Sequence, residues 1–174
     1  MPFGGFLAFD TDTVSYYRRD NLTASGAFHT QLKSTHAVSS ICQVDEYDPG
    51  RGVSKSGSPF IRYLFATEAG ELYMLAIEVY TLNAVLNDQP FDGDGESLLT
   101  VEFLAQKLTF CSSLVYLGES LLFYGSREGD SYILKISAEH TGVHDQPYVA
   151  VEQRFTSLAP ILDLQLARPE QTQG

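Results

Sequence analysis

The chain has 174 residues, 44% of them hydrophobic and 12% aromatic, enough apolar material for a packed domain and too much for a disordered polymer. Its net charge of −11 disfavours sequence-independent binding to a nucleic-acid backbone, which needs Lys and Arg to replace counterions. Two cysteines do not make a disulfide framework, and no run of about 18 apolar residues offers a membrane-spanning helix.

In chain order, residues 3–9 and 13–18 read as a first hairpin, a fainter copy of the later ones. The opening MPFGGFLAFD carries no basic region or cleavage site, so no signal peptide is expected. Residues 24–32 form a third expected strand. A short apolar strand at 39–44 contains Cys42, and Cys111 precedes another; both are expected as reduced core thiols. Residues 60–67 and 70–80 make a second hairpin, followed by a strand at 98–106. Segments 112–117, 121–126, 130–137 and 147–156 are the next four strands. The connections 45–58 and 81–97 are rich in Gly, Pro, Asp and Ser and are expected as surface insertions.

Two of these hairpins are copies. Placing Gly70 over Gly129, an offset of 59 residues, brings Tyr73 to Tyr132, Leu75 to Leu134 and Ile77 to Ile136. A fainter copy puts Asp12 in the glycine position. Gly129 is expected to supply a positive φ to its turn. A second similarity is independent of the first: SSICQV at 39–44, SSLVYL at 112–117 and APILDL at 159–164. Small residues at the start of each segment suit the crowded centre where inner strands converge.

An all-strand repeat of this length predicts propeller blades. The expected fold is all-β: a partial β-propeller of about three blades of four antiparallel strands, in an open ring, with no helix longer than two turns. Residues 1–168 make up this domain. Residues 3–32 form a partial blade, 39–106 and 112–156 whole blades, and 160–166 the inner strand of a next blade. Residues 169–174 are expected as a disordered tail. Tyr73, Leu75 and Ile77 on one face and Leu72, Met74 and Ala76 on the other predict a sheet packed between two neighbours. End blades lacking a neighbour would expose edges and apolar faces, so the chain is expected to be part of a larger protein.

PFGG at 2–5, RYLFATEAGELYML at 62–75, GSREGDSYILKI at 125–136 and RFTSLAPILDL at 154–164 carry a family resemblance. The chain resembles the family formed by the large subunits of the damaged-DNA-binding protein, the cleavage/polyadenylation specificity factor and the splicing factor 3b complex. The GSRxGDS and FTxLxPI patterns favour the damaged-DNA-binding branch. The resemblance implies the later half of the first of three propellers. It implies a non-catalytic adaptor linking a cullin-type ubiquitin ligase to substrate-receptor proteins, acting in DNA repair and protein turnover in the nucleus and also the cytoplasm. The implied partners are those receptors and the missing blades of the parent chain. The alternative is a nucleic-acid-binding subunit of a pre-mRNA 3′-end processing or splicing complex.

Catalytic chemistry finds little footing. The acidic loop FDGDGE at 91–96 has Glu96 in the third acidic place and Ser97 where a calcium loop wants Gly. His140 and His144 flank Thr-Gly-Val, which breaks any helix that would pair them on a metal. No nucleophile elbow or phosphate loop occurs, and no cofactor, metal or catalytic residue is expected. The candidate site is a protein-binding rim. Blade order puts the turn 126–130 beside residues 157–160, and the resemblance implies receptor contact for Arg127, Pro160, Ile161 and Leu162. Arg127 can anchor a partner, and Pro160 with Ile161 can offer rigid apolar contact. An internal salt bridge for Arg127 and core packing for Ile161 are the competing readings. Glu128 stands where the family pattern has an aliphatic residue.

Overall fold

The computed structural model describes residues 5–18, 27–44, 60–78 and 98–157. These residues contain strands and no helix, in three antiparallel sheets. The first sheet is β1 (Gly5–Phe9), β2 (Thr13–Arg18) and β3 (Ala27–Gln31), in that order. The second is β4 (Val38–Val44), β5 (Phe60–Thr67), β6 (Leu72–Glu78) and β7 (Leu99–Ala105). The third is β8 (Ser113–Gly118), β9 (Leu121–Gly125), β10 (Ser131–Ile136) and β11 (Val149–Phe155). Each strand pairs with the one before it in its sheet, as expected of propeller blades. The 91–96 loop, the strand expected at 160–166 and the tail at 169–174 lie outside the described residues.

Register shows why the sheets stack. Opposite residues of an antiparallel pair share a face. Tyr63 pairs with Leu75, and Phe65 with Tyr73, while Leu64 pairs with Met74 and Ala66 with Leu72. The first set, with Ile77, packs with Val14, Tyr16 and Leu32 of the first-sheet side. The second set packs with Leu114, Leu122, Tyr124 and Leu134 of the third sheet. The two apolar cores of the described residues are therefore the two interfaces between sheets. Stacked rings of Phe65 and Tyr73, 5.3 Å apart, fill one of them. The buried Cys111 thiol lies in the other, and burial pushes its pKa up to about 12. Cys42 and Cys111 are both unbridged.

The inner strands β4 and β8 also meet through a polar contact. The Leu114 N–H donates to Ser40 Oγ at 3.0 Å, so a small residue in the repeated SSICQV segment joins one sheet to the next. The two turn glycines differ. Gly70 has φ +72°, and a Cβ there would lie 2.0 Å from the Leu108 carbonyl oxygen. The Leu108 N–H donates to the Gly70 carbonyl at 3.0 Å, which fixes that approach. Gly129, expected to have a positive φ, does not have one. Its turn closes instead on the Ser126 hydroxyl, which accepts the Glu128 and Gly129 N–H groups at 3.3 and 3.1 Å. Glycine is required there by the neighbour: a Cβ would stand 2.8 Å from Thr109 Cγ2.

Gly70→Ala combines left-handed strain with a collision against a backbone oxygen held by a hydrogen bond. It is expected to destabilise the chain by about 2–4 kcal/mol in urea titration, whereas Gly142→Ala, at φ +84° with open space around it, is expected to cost about 1 kcal/mol.

Candidate protein-binding rim

The turn between β9 and β10 carries Arg127 and Glu128, both exposed. Its frame is polar and closely tied. The Ser126 N–H donates to Ser131 Oγ at 3.0 Å, and Thr109 Oγ1 donates to the Asp130 carbonyl at 2.7 Å. The Tyr124 hydroxyl donates to the Thr109 carbonyl at 2.6 Å, so Thr109 is itself held from the core. Only the tip of the turn reaches solvent.

Asp130 is the centre of the rim. Its side chain is buried, and one carboxylate oxygen accepts the Ser157 N–H at 2.9 Å. The other accepts both the Nε and a terminal nitrogen of Arg154, so the ion pair with β11 converges on a single oxygen. These contacts, the Ser157 N–H first, hold the Asp130 carboxyl below the usual carboxylate range. The turn 126–130 and residue 157 are thus brought together, as the order of strands implies. Pro160, Ile161 and Leu162 lie outside the described residues.

Among the described residues Arg127 has no ion pair, and the arginine on the nearby acid is Arg154. Sequence reasoning passed over Asp130, Arg154 and Ser157. Asp130 aligns with Glu71 at the same offset of 59, and Glu71 also takes hydroxyl donors, from Ser34 and from Thr67 at 3.0 Å. An acid just after each turn glycine was the available signal.

A second polar cluster lies where the second sheet's exit meets the third sheet. Asp145 accepts Lys107 Nζ and Gln106 Nε2, each at 3.0 Å. The Lys107 contact, then His144, lowers its pKa to about 2. His144 Nδ1 lies 3.2 Å from Asp145, whereas the His140 ring packs on Tyr148. Among the described residues no group of three His, Cys, Asp or Glu side chains can hold a metal ion. The arrangement offers an exposed cation on a fixed turn.

The profile described as the RSE1/DDB1/CPSF1 first beta-propeller matches residues 2–158. The chain belongs to this family. Two relatives are called DNA damage-binding protein 1. That of Drosophila melanogaster is 27% identical over 164 residues, 94% of this chain. That of Oryza sativa subsp. japonica is 30% identical over 164 residues, 93% of this chain. The chain spans 12% of the length of each.

In this first-propeller member the Asp130 latch sets a pH dependence. A carboxyl whose folded pKa is lowered stabilises the fold fully above its unfolded value, near 3.8, and loses that contribution as pH falls through the lower folded value. Asp130→Asn is expected to lower the urea midpoint at neutral pH, with the gap from the unsubstituted chain closing in strong acid. A gap that stays constant into strong acid contradicts an ionic latch.

Proposed function

We propose that this chain supplies part of a non-catalytic propeller scaffold, the adaptor of a cullin-type ubiquitin ligase acting in DNA repair and ubiquitin-dependent protein turnover. Its rim, formed by Arg127 with Pro160, Ile161 and Leu162, receives substrate-receptor proteins. The observation that carries the reading is Arg127 itself. It is exposed, it has no ion pair among the described residues, and its turn is fixed by Ser126, Thr109 and Asp130. A guanidinium held on a rigid tip loses little freedom on binding and suits a desolvated anchor.

The names of the relatives support the damage-repair setting, and the family supports a scaffold. The acidic balance of the chain speaks for protein partners over direct contact with DNA or RNA. Binding here requires no proton transfer or covalent step, so the scaffold acts by position alone. The nucleus, with some cytoplasmic presence, is the proposed location.

The test uses a complete parent protein carrying Arg127→Ala and Leu162→Ala at the matching positions, with folding verified by circular dichroism. Receptor affinity is expected to fall by at least about 2 kcal/mol if these are central anchors, with cullin binding kept. Unchanged receptor affinity removes the rim assignment.

A further inference from the structure

Residues 106–112 carry the chain from β7 to β8, from the second sheet to the third. Two adjacent residues of this crossing hold the turns of both sheets. Leu108 is buried between the sheets, and its N–H donates to the Gly70 carbonyl in the β5–β6 turn at 3.0 Å. Thr109 holds the β9–β10 turn with three of its groups. Its hydroxyl donates to the Asp130 carbonyl at 2.7 Å. Its methyl Cγ2 would lie 2.8 Å from a Cβ on Gly129, so it packs directly on that residue. Its carbonyl accepts the buried Tyr124 hydroxyl at 2.6 Å, which ties Thr109 to β9.

The other contacts of the turn are of a different kind. Ser126 Oγ accepts the Glu128 and Gly129 N–H groups at 3.3 and 3.1 Å, both within the turn itself. The Asp130 carboxylate ties the turn to Arg154 and to the Ser157 N–H, on the outgoing chain of its own sheet. Among these contacts Thr109 alone connects the turn to another sheet, through its peptide link to Leu108. Threonine suits the place because it carries both groups the turn uses: Ser lacks the methyl and Val lacks the hydroxyl. Its branched Cβ restricts χ1, so the two groups are aimed together. Arg127 is exposed, two residues before the crowded glycine, and its side chain enters none of these bonds. The aim of its guanidinium is set by the turn beneath it.

We propose that Thr109 is the positioning residue of Arg127. Through Leu108 and Gly70 it sets the rim turn against the second sheet, so the aim of Arg127 depends on two sheets and not on its own hairpin alone. Thr109 is half-buried beside the turn and acts through Arg127 rather than by touching a partner. Loss of its hydroxyl bond leaves the turn closed on Ser126 but free to rock on β9 and β10. A rocking arginine gives up more freedom on binding, and affinity falls. The effect on affinity rests on the rim reading; the coupling of the turn to the crossing does not.

The test begins on the full chain without a partner, by ¹⁵N relaxation, with folding checked by circular dichroism. Thr109→Val keeps the shape and removes the hydroxyl. It is expected to lower the Arg127 amide order parameter from about 0.85 to below about 0.6, with the Leu108 amide still slow to exchange. Thr109→Ser, which keeps the hydroxyl bond, is expected to fall between the two. An Arg127 order parameter unchanged in Thr109→Val overturns the proposal. In a complete parent protein with the matching changes, Thr109→Val is expected to weaken substrate-receptor binding about fivefold, the loss of one hydrogen bond. With Arg127 already replaced by Ala, the same change is expected to weaken it by less than about 1.5-fold. Equal losses in both backgrounds overturn the proposal, since Thr109 then acts apart from Arg127. If Arg127→Ala leaves receptor affinity unchanged, the rim reading fails alone, and the relaxation result still decides whether Thr109 sets the turn.

Discussion

Burial of both faces of one sheet is the constraint on which the rest depends. From Tyr63 to Ala66 and from Leu72 to Leu75, β5 and β6 present aromatic and aliphatic side chains alternately to two neighbours. Leu64 and Phe65, adjacent in sequence and both fully buried, belong to different cores. A sheet of this kind is stable only as the middle of a stack, and that forces the repeat. Each flanking sheet then turns an apolar face to the second sheet. On the third sheet the opposite face keeps Val115 and Leu117 exposed, ready for the next layer.

The polar contacts do a different task. Dispersion and area set that the sheets stack, and a few directed bonds set where. Ser40 with Leu114 aligns the inner strands, Leu108 with Gly70 fixes the chain as it leaves the second sheet, and Asp130 with Ser157 fixes it as it leaves the third. The same bonds that route the backbone leave the tip of the 126–130 turn projecting. The rim proposed above would be a by-product of how the outgoing chain is tied down.

Much of this was legible in the sequence because period and repeat are local. Tyr73, Leu75 and Ile77 against Leu72 and Met74 announced a two-faced strand, and the segments at 39–44 and 112–117 announced inner strands that now lie side by side. The strand ends differ from expectation by a few residues at most, for instance Leu72–Glu78 against 70–80. The turns were less legible. Gly129 has the same sequence position as Gly70 but a different reason for being glycine, since Thr109 crowds it from another part of the chain. The Asp130–Arg154 pair joins residues 24 apart across two strands, and neither periodicity nor composition carries that information. At the candidate site the turn and its arginine were readable and the acid after the turn glycine left a signal in the repeat, but its partner Arg154 left none.

The most direct measurement compares Leu64→Ala with Phe65→Ala by native-state hydrogen exchange. Each removes a fully buried side chain from β5, at a cost of about 2–5 kcal/mol, but from opposite faces. The two-faced middle sheet predicts that Leu64→Ala speeds exchange most in β8, β9 and β10, and Phe65→Ala most in β1, β2 and β3. If both substitutions loosen the same sheet, the second sheet is not the shared wall between two cores, and the account is wrong.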